Sequence, residues 1–385
     1  MQDAIGCSLS LRGQTMKRFT VGVREMARAA VSRTRVCSRM AKVGAGRFPH
    51  SNRKPLHGLI PKGEGAVAAL ALALVLLLTP AAARAERLFV SNEKDNTLTV
   101  IDGGTLAVTQ TIKVGDRPRG LVASRDGKSL YICTSDSDHI EVLDLATLQV
   151  TRILPSGPDP ELLALSPDGA TLYVANENDN MVSVLDIAAG RIVTEIPVGV
   201  EPEGMAVSPD GRTLVNTSET TSMAHFIDTG TKQSVANVLV GSRPRVARFN
   251  MDGSRVWVSS EVGGTVAVID ATAHTVLHTV AFTIPGVPVE SIQPVGIALS
   301  ADGTTAYVAL GPANRVAVVD ARTYEVRKYL LVGQRVWNLA FSLDGKRLYT
   351  TNGISNDLSV IDVDAARVIK SVPVGQLPWG VVVVP

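Results

Sequence analysis

Seven equivalent positions combine aromatic, cationic and carboxylate side chains. Each ends one copy of a Gly-x-x-Pro-x motif, which five copies match in full and two match in part. The motif occurs as Gly115–Arg119, and its last position varies between copies that agree elsewhere. Counted from the C-terminal copy, this position holds Trp379, Arg119, Glu161, Glu203, Arg245, Val295 and Trp337. Tryptophan rings can stack on a ligand and arginine can pair with a carboxylate, so the set predicts a site for a small molecule or protein partner. The alternative is a solvated rim whose arginines and glutamates neutralise one another.

Four glutamates predict a second kind of site, which would bind a hard cation such as Ca²⁺. Glu161 and Glu203 belong to the motif, and Glu177 and Glu219 follow strands of the same two repeats. Calcium prefers clusters of carboxylate oxygens of this kind. Glutamates on adjacent surface loops are also common without a bound metal.

Motifs of the common enzyme classes are missing from the sequence. It has no Cys-x-x-Cys-His for covalent haem, no Gly-x-Ser-x-Gly and no glycine-rich phosphate loop. We therefore favour a binding protein over an enzyme. The alternative is a lactonase-like hydrolase that uses a bound cation and a carboxylate base such as Glu161 or Glu203.

A repeat of constant length must position these side chains. Seven segments close with an aspartate, at steps of 42 residues apart from one step of 50: Asp102, Asp144, Asp186, Asp228, Asp270, Asp320 and Asp362. An Asp-Gly pair recurs in register with them, as at Asp126-Gly127. A fixed period of this size is typical of propellers and solenoids. The aspartates and the Asp-Gly pairs are best interpreted as turn residues, since a catalytic group is not needed seven times.

Each repeat predicts four short strands separated by turns. In one repeat the strands are a run before an Asp-Gly turn, Thr171–Ala175, Val182–Asp186 and Arg191–Val198. Four-stranded units of 40–45 residues are the blades of β-propellers. We therefore predict an all-β, seven-bladed β-propeller of four-stranded blades. The longest repeat adds a loop at residues 282–293, which either covers the channel mouth, contacts a partner or is a tolerated insertion.

The two ends of the repeat array predict how the ring closes. The first repeat begins at Arg87–Ser91, a second strand with no first strand before it. Pro378–Val384 matches the first strands of the other repeats and ends where its turn would begin. The C-terminal strand should therefore complete the N-terminal blade and leave no unpaired inner edge.

Residues 1–85 differ in composition from the rest of the chain. The apolar run at residues 66–79 follows basic residues and precedes Ala83-Arg84-Ala85, so we predict a cleavable signal peptide with cleavage before Glu86. The long basic segment before it predicts that the translation start is assigned too far upstream. Residues 1–85 hold 14 of the 38 Lys and Arg and 3 of the 36 Asp and Glu, so residues 86–385 carry a net charge of −9. An acidic secreted domain argues against nucleic-acid binding, and no membrane-integral segment is expected after cleavage.

The repeats resemble the YVTN family of β-propellers, with cores such as Leu172–Asn176 and Leu348–Asn352, over all of residues 86–385. More narrowly, the chain is similar to periplasmic β-propeller proteins that accompany pyrroloquinoline-quinone (PQQ) dependent catabolism in bacteria. That likeness implies a periplasmic location and a partner in an alcohol oxidation system: a quinoprotein dehydrogenase, a cytochrome or a transporter component. PQQ itself is not expected as a cofactor, since the tryptophan docking motifs of the quinoprotein propellers are missing. A structural cell-surface role is a further alternative.

Overall fold

Residues 86–385 form a seven-bladed β-propeller in a computed structural model, which describes these residues. The predicted leader, its apolar run and its cleavage site lie outside the described residues. In chain order the described strands are β1 (Arg87–Asn92), β2 (Thr97–Asp102), β3 (Val108–Lys113), β4 (Pro118–Ala123), β5 (Ser129–Thr134), β6 (His139–Asp144), β7 (Gln149–Pro155), β8 (Pro160–Leu165), β9 (Thr171–Asn176), β10 (Met181–Asp186), β11 (Arg191–Pro197), β12 (Pro202–Val207), β13 (Thr213–Ser218), β14 (Met223–Asp228), β15 (Gln233–Leu239), β16 (Pro244–Phe249), β17 (Arg255–Ser260), β18 (Thr265–Asp270), β19 (Thr275–Ala281), β20 (Ile297–Leu299), β21 (Thr305–Ala309), β22 (Arg315–Asp320), β23 (Val326–Leu331), β24 (Val336–Phe341), β25 (Arg347–Asn352), β26 (Asp357–Asp362), β27 (Arg367–Pro373) and β28 (Pro378–Val384). Two single-turn 3₁₀ helices, Ser135–Ser137 and Val289–Ser291, complete the described elements.

The strands pair antiparallel in seven sheets of four, which confirms the predicted blades. Blade 1 is β28-β1-β2-β3, and blades 2 to 7 take the remaining strands four at a time in chain order. Within blade 1, Leu88 pairs with Val383 and Val90 with Val381 across β1 and β28. The C-terminal strand therefore supplies the inner strand of the N-terminal blade, as the sequence predicts. Ring closure depends on strand pairing between the two ends of the described chain.

The turns use the aspartates as predicted. Each of the seven terminal aspartates accepts a hydrogen bond through Oδ1 from the backbone N–H three residues later, as between Asp144 and Thr147 at 2.7 Å. The glycines of the six Asp-Gly pairs all have φ between 65° and 75°, a left-handed conformation that glycine adopts without a steric cost. These residues are therefore committed to turns on the face opposite the Gly-x-x-Pro-x loops.

The hydrophobic core is divided among the blade interfaces. Seven clusters of buried side chains each join two adjacent blades; Phe89 and Leu98 of blade 1, for example, pack with Leu130 and Ile132 of blade 2. Because each interface buries its own apolar surface, the ring is held by blade-on-blade packing. No helix among residues 86–385 is long and apolar enough to cross a lipid bilayer.

Candidate functional site

One face of the propeller carries all the Gly-x-x-Pro-x loops together with the loops that join the second and third strands. We call it the mouth face, and we call Trp379, Arg119, Glu161, Glu203, Arg245, Val295 and Trp337 the mouth ring. Each mouth-ring residue other than Val295 lies one residue into the inner strand of its blade. In six blades the first position after the second strand faces the same mouth, because its N–H bonds the carbonyl that precedes an inner strand, as Glu177 does to Asp159 at 2.9 Å. In blade 6 the corresponding Leu310 N–H bonds the Arg315 carbonyl instead.

A hydrogen bond that recurs in most blades fixes the backbone of the loop before the inner strand. The residue before the inner strand has a left-handed φ between 51° and 58° in six blades, although none of the six is glycine. Its N–H is bound in five blades by an Asn or Asp side chain 21 residues earlier; Arg117 N, for example, lies 3.0 Å from Asn96 Oδ1. Such conformations persist where surrounding bonds fix them. The mouth face is therefore rigid.

Hydroxyl groups between the blades fix the mouth ring itself. Ser91 and Thr351 donate to the carbonyl oxygens of Arg119 at 2.8 Å and Trp379 at 2.6 Å. Thr217 and Ser259 do the same for Arg245 and Val295. Each hydroxyl lies on a second strand and holds the inner strand of the next blade.

Two Trp–Arg–Glu sets make up most of the mouth ring. In the first, the Arg119 guanidinium lies 4.7 Å from the ring centroid of Trp379, and its Nη1 lies 2.6 Å from Glu161 Oε2. In the second, Arg245 lies 5.9 Å from the Trp337 ring, and its Nη2 lies 3.0 Å from Glu203 Oε1. Each arginine therefore lies between a tryptophan ring and a glutamate, although Val295 separates Arg245 from Trp337 in ring order.

These side chains are buried rather than arranged as a solvated rim. Glu161 is 0% exposed, Glu203 1%, Arg245 3% and Trp379 1%. The Trp379 ring is already covered by Arg119, so it does not offer a free face for stacking on a ligand. Arg119 and Trp337 are the partly exposed members of the mouth ring, and Arg335 lies 4.2 Å from the Trp337 ring. The predicted binding residues thus lie together, but most of their side chains contact one another and are not free to contact a ligand.

Further arginines on the mouth face extend both sets. Arg117 Nη2 lies 2.6 Å from Asp159 Oδ1 and 2.5 Å from Glu161 Oε1. Arg243 lies 2.6 Å from Glu219 and Arg335 2.7 Å from Glu261. The predicted site lacks Arg117, Arg243, Arg335 and Glu261. The sequence held a signal for them, because the three arginines precede the inner strand in the same motif and Glu261 occupies the position shared by Glu177 and Glu219.

The predicted cation site is assembled differently from the prediction. Asp159, Glu161 and Glu177, which we call the acidic triplet, have carboxylate oxygens within 4.8 Å of one another. Asp159 is an addition to the prediction, and Glu203 and Glu219 are outside this group. Glu219 instead contacts both Arg243 and Arg245. Because the Glu219 carboxylate pairs with two guanidinium groups, it does not share a candidate metal site with Glu161 and Glu177.

The carboxyl groups of the mouth have contrasting proton affinities. Burial by itself raises the pKa of Glu161, but the guanidinium groups of Arg119 and Arg117 outweigh it and hold that pKa below its usual value. Burial and the Glu161 carboxylate raise the pKa of Glu177 to about 7. Burial raises the pKa of Asp159 to about 6 and that of Glu203 well above its usual range. One ionised carboxylate therefore lies among three that take up protons readily.

Comparison with known proteins places the chain among β-propellers. A choice-of-anchor I domain model matches residues 178–375, just over half of the chain, and a YNCE-like beta-propeller model matches residues 56–178. No curated protein matches the sequence.

Three solved structures share the fold at low sequence identity. Hydrazine synthase of Kuenenia stuttgartiensis aligns with a TM-score of 0.66 at 24% identity, covering 72% of this chain and 92% of that one. A protein of unknown function from Desulfotomaculum acetoxidans DSM 771 aligns at 0.66 and 16%, covering 77% and 98%. A candidate 6-phosphogluconolactonase from Bacteroides fragilis NCTC 9343 aligns at 0.65 and 20%, covering 80% and 100%. At these identities the likeness concerns the fold, and a shared fold does not determine activity.

Proposed function

The chain belongs to the choice-of-anchor I domain family, and from this premise we propose that it is a non-catalytic binding propeller that holds a partner on its mouth face. The narrower likeness in the sequence suggests the periplasm as its location, reached through the predicted leader. It also suggests the partner: a quinoprotein dehydrogenase, a cytochrome or a transporter component of a PQQ-linked alcohol oxidation system.

The observation that carries this proposal is the exposed apolar surface on a rigid, charged face. Val262, Val289 and Ile354 are 66%, 75% and 62% exposed, and all three lie in loops of the mouth face. Val289 belongs to the long loop of the 50-residue repeat. Apolar patches rimmed by polar residues mark protein interaction sites, and these three side chains share one face with the charged mouth ring.

The contacts of the mouth arginines also favour binding over catalysis. All five arginines of the mouth face pair with carboxylates of the propeller itself: Arg117, Arg119, Arg243, Arg245 and Arg335. The Glu161 carboxylate, suggested by the sequence as a catalytic base, is held ionised by two of them. A base stabilised in this way has a weak tendency to take up a proton.

One observation favours a second candidate, the metal-dependent lactonase-like hydrolase. Glu177 belongs to the acidic triplet and has a pKa of about 7, a value suited to general acid–base work near neutral pH. Stoichiometric Ca²⁺ in purified protein together with metal-dependent hydrolysis of a lactone would establish this candidate in place of the binding proposal.

The binding proposal is tested by affinity capture from the periplasm of cells grown on an alcohol. The bait is the chain with a tag after the exposed Pro385, and its partner is identified by mass spectrometry. A mouth-face variant carries Val262→Asp and Ile354→Asp. The matched control carries Met251→Asp and Leu343→Asp, two similarly exposed residues in turns of the opposite face.

We expect the natural bait and the opposite-face control to retain the same partner, and the mouth-face variant to lose it. Equal retention by all three baits would show that the mouth face is not the binding surface. Empty baits throughout would refute the binding role and favour the structural cell-surface alternative.

A further inference from the structure

The face opposite the mouth has a break at blade 1. Each of the other six blades joins its inner strand to its second strand through an Asp-Gly turn. In blade 1 these strands are β28 and β1, which come from the two ends of the described chain and share no turn. Turns of neighbouring blades pack together elsewhere: a Cβ on Gly211 would lie 3.1 Å from Pro167, and one on Gly253 would lie 3.1 Å from Pro209. The turn of blade 7 lacks such a neighbour, because blade 1 has no Asp-Gly turn.

The side chain of Glu86, the residue before β1, occupies the place of the missing turn. Its Oε2 accepts a hydrogen bond from the Leu343 N–H at 2.7 Å, and its Oε1 accepts one from the Tyr349 hydroxyl at 2.8 Å. Leu343 lies in the turn of blade 7, and Tyr349 lies on β25 of the same blade. Hydrogen bonds to an ionised carboxylate are stronger than those between neutral groups. The Glu86 carboxylate therefore joins blade 1 to blade 7.

Gly103 makes room for the Glu86 side chain. Glycine follows the terminal aspartate in blade 1, whereas the other blades carry a larger residue at this position: Leu145, Ile187, Thr229, Ala271, Ala321 and Val363. A Cβ on Gly103 would lie 2.7 Å from Glu86 Oε1 and 2.9 Å from the Glu86 carbonyl oxygen, closer than packed atoms approach. The Gly103 N–H also donates a hydrogen bond to that carbonyl at 2.7 Å. Blade 1 thus departs from the repeat at the position where Glu86 needs space.

Tyr349 differs from the tyrosines at equivalent positions of other blades. It is 0% exposed, and burial together with the Glu86 carboxylate raises the pKa of its hydroxyl. The hydroxyl therefore stays protonated and remains a donor to Glu86. Tyr131, Tyr173 and Tyr307 occupy the same position in blades 2, 3 and 6, and within residues 86–385 their hydroxyls have no hydrogen-bond partner. The bond to a carboxylate is thus a feature of the junction between blades 7 and 1.

We propose that Glu86 is a latch that takes the place of the missing turn and closes the ring between blades 7 and 1. Removal of the predicted leader must then leave Glu86 on the mature chain: cleavage before Glu86 keeps the latch, and cleavage after it removes the latch. The latch lies on the face opposite the mouth, so the N-terminal end of the propeller leaves the mouth face clear. This inference goes beyond the proposed binding function and does not depend on it.

The test is hydrogen–deuterium exchange with mass spectrometry on protein purified after expression of the full chain. Two latch variants, Glu86→Ala and Tyr349→Phe, each remove one side of the contact. Tyr307→Phe is the matched control, because it makes the same substitution at the equivalent position of blade 6. Exchange in β1 and β28 is compared with exchange in blade 4, which lies across the ring.

We expect both latch variants to raise the exchange rates of β1 and β28 at least about fivefold and to leave blade 4 unchanged, because a charge-assisted hydrogen bond between blades 1 and 7 is lost. The Tyr307→Phe protein should exchange as the natural protein does. Tyr349 is distant in sequence from the predicted cleavage site, so Tyr349→Phe tests the latch even where Glu86→Ala alters processing. Unchanged exchange in the Tyr349→Phe protein would overturn the proposal, as would an equal rise in every blade or an equal rise in the control.

The intact mass of the purified natural protein tests the link to leader removal. We expect a mature chain that begins at Glu86 or before it. A mature chain that lacks Glu86 and still protects β1 and β28 as strongly as blade 4 would overturn the proposal, because the ring would then close without the latch.

Discussion

Replacing Arg245 by methionine should destabilise the propeller more than any exposed change on the mouth face. Arg245 is 3% exposed and approaches three carboxylates, those of Glu203, Glu219 and Glu261. Glu219 keeps Arg243, and Glu261 keeps Arg335. Glu203 is thus the carboxylate that loses its nearest cation, and it remains fully buried.

The expected loss follows from leaving a buried charge without its partner. Breaking a buried ion pair from one side typically costs about 3–5 kcal/mol. At roughly 2–4 °C of melting temperature per kcal/mol, the melting temperature should fall by at least about 6 °C at pH 8. Arg243→Gln is the matched control: the side chain is 49% exposed and shares two of the same glutamates, so its loss should stay below about 1 kcal/mol.

The stability loss of the Arg245→Met variant should depend on pH. Burial already raises the pKa of Glu203 in the native protein, and removing the Arg245 cation raises it further in the folded variant. The folded variant then binds a proton that the unfolded chain releases, so its stability is recovered as pH falls through that raised pKa. The destabilisation should therefore be smaller at pH 5 than at pH 8.

Scanning calorimetry of the purified protein and both variants at the two pH values measures these effects. The reasoning is refuted if Arg245→Met loses no more stability than Arg243→Gln. It is refuted equally if the loss is the same at pH 5 and pH 8, because the effect would then not come from an uncompensated carboxylate.

Three further outcomes are expected. Glu177→Gln should stabilise the protein at pH 8 and leave its stability unchanged at pH 4, as measured by calorimetry. Because the folded-state pKa of Glu177 is raised to about 7, the native protein loses stability as pH rises from about 4.5 through 7, and glutamine removes that loss. After discounting for the exposure of the side chain, the gain is of the order of 1–2 kcal/mol. Removing residues 378–385 should abolish the cooperative melting transition because blade 1 loses its inner strand, whereas removing the exposed Pro385 alone should leave it unchanged. Thr351→Val should lower the free energy of unfolding in urea by about 1–3 kcal/mol, because the Trp379 carbonyl keeps only its bond from Asn338 and the Asn338 N–H loses its acceptor; no measurable loss would contradict the proposed role of the inter-blade hydroxyls.

The repeat pattern made the fold predictable. The 42-residue period, the Asp-Gly turns and the strand alternation are local features, and each repeat builds the same sheet from them. Predicted strands such as Thr171–Ala175 differ by a single residue from β9. The closure by β28 was also predictable, since the first and last repeats each lack what the other supplies.

The candidate site was only partly predictable. The motif identified the mouth ring and its order, because ring order follows chain order in a propeller. It did not indicate that Arg119 covers Trp379 or that Arg117 joins Glu161, since long side chains choose among several partners within reach. Asp159 joins Glu177 because the two residues flank the paired strands β8 and β9 of one blade, a contact between residues 18 positions apart that no local pattern marks.

By itself, the sequence determined the number of blades, the positions of their turns and the residue types that converge on the mouth. These properties depend on backbone conformation and on the repetition of short segments. The tertiary structure alone decided which charges neutralise one another and which remain unpaired, because burial and distance set the energy of each ion pair. It therefore decided that Arg117 and Arg245 pair with carboxylates of the propeller itself, and that within residues 86–385 Glu177 and Glu201 have no lysine or arginine at ion-pair distance.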